Sequence, residues 1–533
     1  LSQVHQPTAL GDSLEYGHGR LGVDQVTAGG FDNLALLSNG LLSFDGDVSL
    51  DMGQSLRFYS RGYGLSENAA GNSRVNLTAP HLLLAGYLAP PETGKDLYVR
   101  PVPVLPVPSQ RATEAQFNAD GDLVEVRGNV IFGNRSSLYG ADNSLASLER
   151  RGFDQVNLTS QGDLRFLVGA SANDIITGVS TQLLTQGDMT LRAAQVYPST
   201  EVSARVIAGY LGESSAVQGL TFDPLRTLTI GRVGSTDAPL PYSAFGRLQL
   251  GAATVKQGGV VRAPLGLIDI GSMGSSLVQL LPGSVTSVSG KGLVLPYGGT
   301  LDGQVYKYNG KTVTFLGQGG LANTNSDLSV GVILGGQSVA VQPDAILDLS
   351  GGGELLGAGF VSGRGGSTDA RYNPLVQFGA NGGFVLPGLS TNPIYAIVPG
   401  VQPGVAPVAA EGGAVAPLVG QQVTIGAGVP GLPAGTYTLM PSTYALMPGA
   451  YRVEINGLAG VGSDAATTLM RNGSWATAGQ LSIAHTGIRN STASQLILTS
   501  ADTLRRYSQY NETSYAQFAK ADAARLGVPR PML

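Results

Sequence analysis

Short runs that are apolar at every second position, each entered through a glycine, recur along this chain. Four of them share one opening: Gly46-Asp47-Val48, Gly121-Asp122-Leu123, Gly162-Asp163-Leu164 and Gly187-Asp188-Met189. The stretches that follow, such as Val48-Ser49-Leu50 and Met189-Thr190-Leu191, have the period of a strand with one buried face. Glycine is expected to supply a positive φ at the turn, and aspartate to bond backbone two residues on. A longer unit also returns. Gly30-Phe31-Asp32-Asn33-Leu34-Ala35-Leu36 is echoed by Gly152-Phe153-Asp154-Gln155-Val156-Asn157-Leu158.

A chain of 533 residues would ordinarily make three or four globular domains. With 77 glycines and only 13% charged residues, against about 25% in soluble domains, this one needs another route to order. Many short strands stacked into one long coil provide it, because each rung touches only its neighbours. The signatures at Gly162 and Gly187 stand 25 residues apart, which suits one turn of a three-sided coil. At roughly 25 residues per rung, some 15 to 20 rungs would give a rod on the order of 80–100 Å.

Residues 1–350 read as this solenoid, with one excursion at 88–110 where Pro90, Pro91, Pro101, Pro103, Pro106 and Pro108 exclude ladder pairing. Residues 351–499 read as a Gly/Pro/Ala-rich continuation, interrupted by an excursion over 372–450 that carries eleven prolines. Inside it, the segments 432–439 and 447–453 each read as a Pro-Gly turn entering a strand, and the two could pair. Residues 500–533 read as one C-terminal helix and a tail. Ser500 or Thr499 caps the helix, Leu504, Tyr507, Tyr515, Phe518 and Leu526 form its stripe, and Gly527 with Pro529 stops it.

Little in the sequence points to chemistry. The absence of cysteine excludes disulfides and thiolate chemistry, and weakly favours export through a pore. A net charge of −5, from 32 basic and 37 acidic residues, gives no basic patch for nucleic acid. His5, His18, His81 and His485 read as isolated polar or turn residues, so no metal site is expected. Gly310-Lys311-Thr312 ends like a phosphate loop, but Val305 stands where its first glycine belongs. The stretch Val305 to Lys311 reads instead as strand, Asn-Gly turn, strand. Gly351 to Gly366 lacks dinucleotide-binding spacing and reads as a loop. Asp47, Asp163 and Asp188 could stack on one face if the rungs align. That is the arrangement a polysaccharide-cleaving β-helix would need, but turn aspartates are the better reading. No catalytic, cofactor-binding or metal residue is assigned. No charged and apolar leader opens the chain and no apolar run approaches 18 residues, so it reads as an internal piece of a longer precursor.

Three later segments carry a family likeness: Gly258 to Ile268, Pro282-Gly283-Ser284-Val285-Thr286, and Leu432 to Pro441 followed by Tyr444 to Tyr451. Over roughly residues 20–530 the chain resembles the C-terminal half of filamentous-haemagglutinin-like large exoproteins of Gram-negative bacteria, the secreted partner of two-partner secretion. The resemblance implies a right-handed parallel β-helix exported by an outer-membrane transporter. It also implies a secreted or cell-surface location and a role in adhesion, aggregation, biofilm formation or the carrying of a C-terminal toxin. It implies no cofactor and no catalytic residues.

Together these readings predict a β-helical adhesin or matrix filament protein rather than an enzyme. Its partners would be a host-cell, bacterial-surface or extracellular polysaccharide ligand, or further copies of itself stacked through open coil ends. A β-helix polysaccharide lyase or glycoside hydrolase is the alternative from another class, and an autotransporter passenger is a third.

Overall fold

The computed structural model describes residues 1–5, 19–38, 40–86, 114–139, 145–169, 179–214, 219–301, 303–312, 314–315, 327–328, 330–363, 368–375, 377–378, 384–385, 392–408, 414–460 and 466–527. The expected excursion at 88–110 and His18 lie outside them. The chain divides into two compact units. One comprises Leu1–Ala238, Ala244–Ser289 and Val330–Leu349; the other comprises Pro239–Ser243, Gly290–Ser329 and Ser350–Leu533.

The first unit is a parallel β-helix. Its strands cycle through three all-parallel sheets of nine, eight and nine strands among the described residues. The first sheet begins Asn33–Leu37, Ser55–Tyr59, His81–Ala85, Leu123–Arg127; the second Leu41–Phe44, Gly62–Leu65, Asn129–Phe132; the third Val48–Asp51, Arg74–Thr78, Gln116–Gly121, Gln155–Ser160. Register makes the core continuous. Val48, Val75, Phe117, Val156, Met189, Leu228, Val255 and Val278 lie one over another on the inner face of the third sheet, all essentially unexposed. In the early coils the column widens into an aromatic cluster. Phe117 lies 4.8, 5.5 and 5.8 Å, ring to ring, from Phe132, Phe153 and Phe44. A later polar inward residue is fully satisfied. Gln257 donates to the carbonyls of Gly259 and Val285 and accepts from the Gly259 amide. At the N-terminal side, helix Val23–Gly29 turns Val23 and Val26 into the same core.

Rung length differs from the expected constant period. Arg247 pairs with Leu267, Thr254 with Leu277 and Val260 with Val285, so a bare turn takes 20 to 25 residues. Elsewhere insertions lengthen it: Val196 pairs with Val261. The 25-residue interval from Gly162 to Gly187 joins two different sheets and is not a rung. With nine coils rather than 15 to 20, the described stack is about 40 Å long at the usual strand spacing.

The glycines of the repeated signature also act differently from expectation. Only Gly46 among the four has a positive φ, at 85°. A Cβ on Gly121, Gly162 or Gly187 would lie 2.6, 2.8 or 2.3 Å from a carbonyl oxygen of a neighbouring coil. Glycine there lets backbone stack on backbone.

The second unit corrects the expected solenoid continuation over 351–499. Strands Ile394–Ile397, Gln421–Ile425, Gly435–Thr438, Met440–Pro441, Tyr451–Leu458, Trp475–Ile483 and Ser494–Ser500 pair antiparallel. The sheet is a near-barrel, because one segment serves both edges. Gly435–Thr438 pairs with Gln421–Ile425, and after Leu439 the same segment pairs with Ile394–Ile397. Inside lie Ile397, Val423, Leu439, Val453, Leu496 and Leu498, all unexposed. The expected excursion at 372–450 therefore supplies barrel strands, and its two echoing segments share the sheet without pairing with each other. The expected single C-terminal helix is broken. Ala501–Leu504 is capped by Ser500, Tyr510–Ser514 is a strand paired with Glu354–Phe360, and Tyr515–Leu526 ends at Gly527 with φ 67°. The predicted Asn-Gly hairpin is present, with Asn309 and Gly310 at φ 49° and 75°.

Candidate functional site

The three outer faces of the coil differ in chemistry. On the second sheet, Ile131, Leu184 and Ile207 point outward and are packed by Tyr210, Leu220 and Phe222 of the hairpin Tyr210–Ser214/Gly219–Phe222. On the first sheet, the outward position of successive strands runs Arg57, Leu83, Glu125, Arg165, Tyr197. The last four of these are buried. Glu125 accepts from the Arg165 guanidinium at 2.7 Å and faces His81 Nε2 at 2.8 Å. One coil further, Asp163 accepts from Gln195 at 2.9 Å and from the Tyr197 hydroxyl at 2.8 Å.

Electrostatics fixes what this cluster can do. Burial pushes the Glu125 carboxyl up, but Arg165 and His81 outweigh it and hold it well below the usual carboxylate range. Burial pushes the Tyr197 phenol well up, and Asp163 adds to the shift. An acid locked in its ionised form cannot donate a proton near neutral pH. The cluster is suited to holding coils in register.

The third sheet keeps a polar outer face. Its middle outward column begins Ser49, Asn76, Asn118, Asn157, Thr190 and Thr229. Asn157 donates to Asn118 at 2.9 Å and Asn118 to Asn76 at 2.8 Å, so the side chains form their own ladder along the stack. Beside it runs a second column: Asp47, Arg74, Gln116, Gln155 and Asp188. The first four of these, with Asn72, Ser73, Glu114 and Asp154 from the preceding turns, line a trough of about 660 Å³. Asp47 accepts the Arg74 amide at 2.8 Å, and Asp188 accepts the Thr227 amide at 2.8 Å. The signature aspartates of this sheet thus cap the first amide of the next strand. Asp154 and Asp188 each lie 3.0 Å from the Arg226 guanidinium.

The sequence-predicted candidates separate. Asp47 and Asp188 occupy one column but stand four strands apart, and Asp163 lies on another sheet. The acidic cluster that carbohydrate cleavage would need is therefore not assembled from them. His81 is not an isolated histidine, since it faces Glu125; His485 sits in a turn at φ 65°. Sequence reasoning missed Glu125 and Arg165 because the Gly-Asp signatures align them wrongly. Matching Asp122 to Asp163 puts Glu125 opposite Phe166, whereas the true register pairs Leu164 with Val124. A one-residue slip exchanges inward for outward positions.

The second unit holds its own buried charges. Arg452, fully buried on the outer face of its strand, lies 3.0 Å from Glu454 and donates to the Asn373 carbonyl at 2.9 Å. Burial pulls its guanidinium down from the ordinary arginine value. Nearby Asp369 binds Arg371 at 2.7 Å and accepts from the Tyr510 hydroxyl at 2.8 Å. These contacts tie residues 368–375 to the strands beneath. Among the described residues, no group of three or more His, Asp or Glu side chains could hold a metal ion.

The first unit belongs to the class of parallel β-helices. No family model matches the chain, and neither the curated proteins nor the solved structures give a match.

Proposed function

We propose that this chain is a secreted or cell-surface attachment protein, an adhesin or matrix component whose coil displays a recognition face. The observation that carries the reading is the third sheet. Rung after rung, its outer side presents hydrogen-bonding groups, while the inner side is an apolar column. A stiff ladder of this kind costs little entropy when it binds, because its groups are already fixed. The resemblance to exported haemagglutinin-like proteins supports the extracellular location and a dedicated outer-membrane transporter.

The reading is tested with the purified chain on beads and intact bacterial or host cells. Chain-coated beads are expected to adhere above an albumin-coated control, and antibody is expected to label the chain on unpermeabilised producing cells. Absence of both adhesion and labelling overturns the proposal. So does sustained release of reducing ends from a panel of neutral and acidic polysaccharides, since that would make the chain an enzyme.

A further inference from the structure

The trough on the third sheet has a chemistry narrow enough to name its occupant. It crosses four successive strands, so at about 4.8 Å per strand it is roughly 15 to 20 Å long. Its volume of about 660 Å³ lies in the range of ligand clefts, but such clefts are usually apolar and this one is lined almost wholly by polar groups. The side chains of Arg74, Glu114, Gln116 and Gln155 have no hydrogen-bond or ion-pair partner among the described residues. Asp154 already faces the Arg226 guanidinium at 3.0 Å, which it shares with Asp188.

These features exclude ligand classes in turn. With no apolar pocket, the trough offers nothing to a lipid chain or to peptide side chains. The lining carries one guanidinium, that of Arg74, against the carboxylates of Asp47 and Glu114, so a polyanion such as nucleic acid or an acidic glycan would be repelled. What remains is a ligand that both donates and accepts hydrogen bonds, carries no negative charge and is extended. Amide side chains and Arg74 can donate to ring and hydroxyl oxygens, and Glu114 and Asp47 can accept from hydroxyls.

We propose that this trough binds a neutral polysaccharide laid along the coil axis, one sugar ring per strand or nearly so. The assignment deepens the attachment reading and rests on it for its biological purpose; the binding itself does not depend on it. No aromatic ring lines the trough, so each sugar contributes only hydrogen bonds, and affinity has to accumulate over several rings.

The test is titration of the full chain with size-defined neutral oligosaccharides of two to eight units, built from glucose, mannose or galactose. Polygalacturonate and heparin serve as charged controls. At least one neutral series is expected to bind, with affinity rising to about four rings, the number that four strands can accommodate, and then levelling. Gln116→Ala and Glu114→Ala are expected to weaken it at least fivefold. Both side chains project outward, and an unchanged melting curve verifies folding. Gln279→Ala, on the same sheet beyond the trough, is expected to leave binding unchanged. The proposal is overturned if no neutral series binds, if the acidic polymers bind more tightly, or if the trough variants bind like the parent. Failure of bead adhesion with sugar binding intact would sink the attachment reading and leave this one standing.

Discussion

The two units solve the same problem, a β-sheet's unpaired edges, in opposite ways. The coil pairs every strand with the coil before and after it and so leaves its last turn unfinished. Val339 and Val341 of that turn are 41% and 54% exposed, while Val278 and Leu280, their partners one coil back, are fully buried. The near-barrel leaves little edge, because the segment running from Gly435 through Pro441 pairs on both sides. An open stack is a sum of neighbour interactions and can lengthen without a new core. A closed sheet has one core that all its strands share. The difference teaches where damage should travel: along the stack in the coil, around the ring in the barrel.

The largest expected effects test that distinction directly. Phe117→Ala removes a ring packed against Phe44, Phe132 and Phe153, at a cost of about 3–5 kcal/mol. Leu496→Ala, in the middle of the barrel, costs about 2–5 kcal/mol. Native-state hydrogen exchange separates the two. The coil variant should speed exchange in Arg74–Thr78 and Gln155–Ser160 and leave Thr254–Gln257 unchanged. The barrel variant should speed exchange from Ile394–Ile397 to Ser494–Ser500 together. Uniform loss of protection throughout the coil would break the comparison, since the stack would then behave as one cooperative body.

Next in size is the buried carboxylate on the first sheet. Glu125→Gln keeps the shape and removes the carboxylate charge that faces the buried Arg165 guanidinium at 2.7 Å, at about 3 kcal/mol or more. The pH profile gives the sign. The folded Glu125 carboxyl is held below its unfolded value of about 4.3. Its contribution is therefore complete above that value and is lost as the pH falls towards the folded value. Denaturant unfolding between pH 7 and pH 2 should show the parent-minus-variant difference constant down to about pH 5 and shrinking below it. A difference that grows on acidification would rule out the paired carboxylate as its source.

The same contrast explains what could be read in the sequence. Alternation of apolar and polar residues after Gly-Asp marked strands such as Val48–Asp51 and Asp188–Ala193, and stacking them gave the coil. The three-way cycle was hidden, because identical openings serve different sheets: Gly162 leads into the first and Gly187 into the third. The count of coils failed because insertions consume chain without adding rungs, and because strands from 394 to 500 form a separate antiparallel sheet. The role of the glycines was half legible. Sequence marks the residue type, but whether Gly187 is needed for φ or for the carbonyl of Asp154 at 2.3 Å depends on the neighbouring coil. In the second unit the local signals at turns and helix ends held. Ser500 caps, Gly527 stops, and Asn309-Gly310 turns. The pairing partners were not legible, since antiparallel strands from 394 to 500 meet across long separations that no local pattern reports. The candidate site was least legible, because Asp47, Arg74, Gln116 and Gln155 become neighbours only once register is known.

The smallest expected effect compares polar ladders. Asn118 accepts from Asn157 and donates to Asn76, so Asn118→Ala cuts two bonds in a chain of three. The side chains are partly wet, so water replaces much of what is lost, and the net cost should be about 1 kcal/mol. The barrel has a counterpart in the hydroxyl pair Thr424–Thr436, 2.8 Å apart and exposed. Thr436→Val keeps the β-branched shape and should cost less than about 0.5 kcal/mol. Urea unfolding of the two variants measures the gap. If Asn118→Ala costs no more than Thr436→Val, the asparagine ladder adds nothing beyond an exposed pair, and the register of the third sheet is set by its inward column alone.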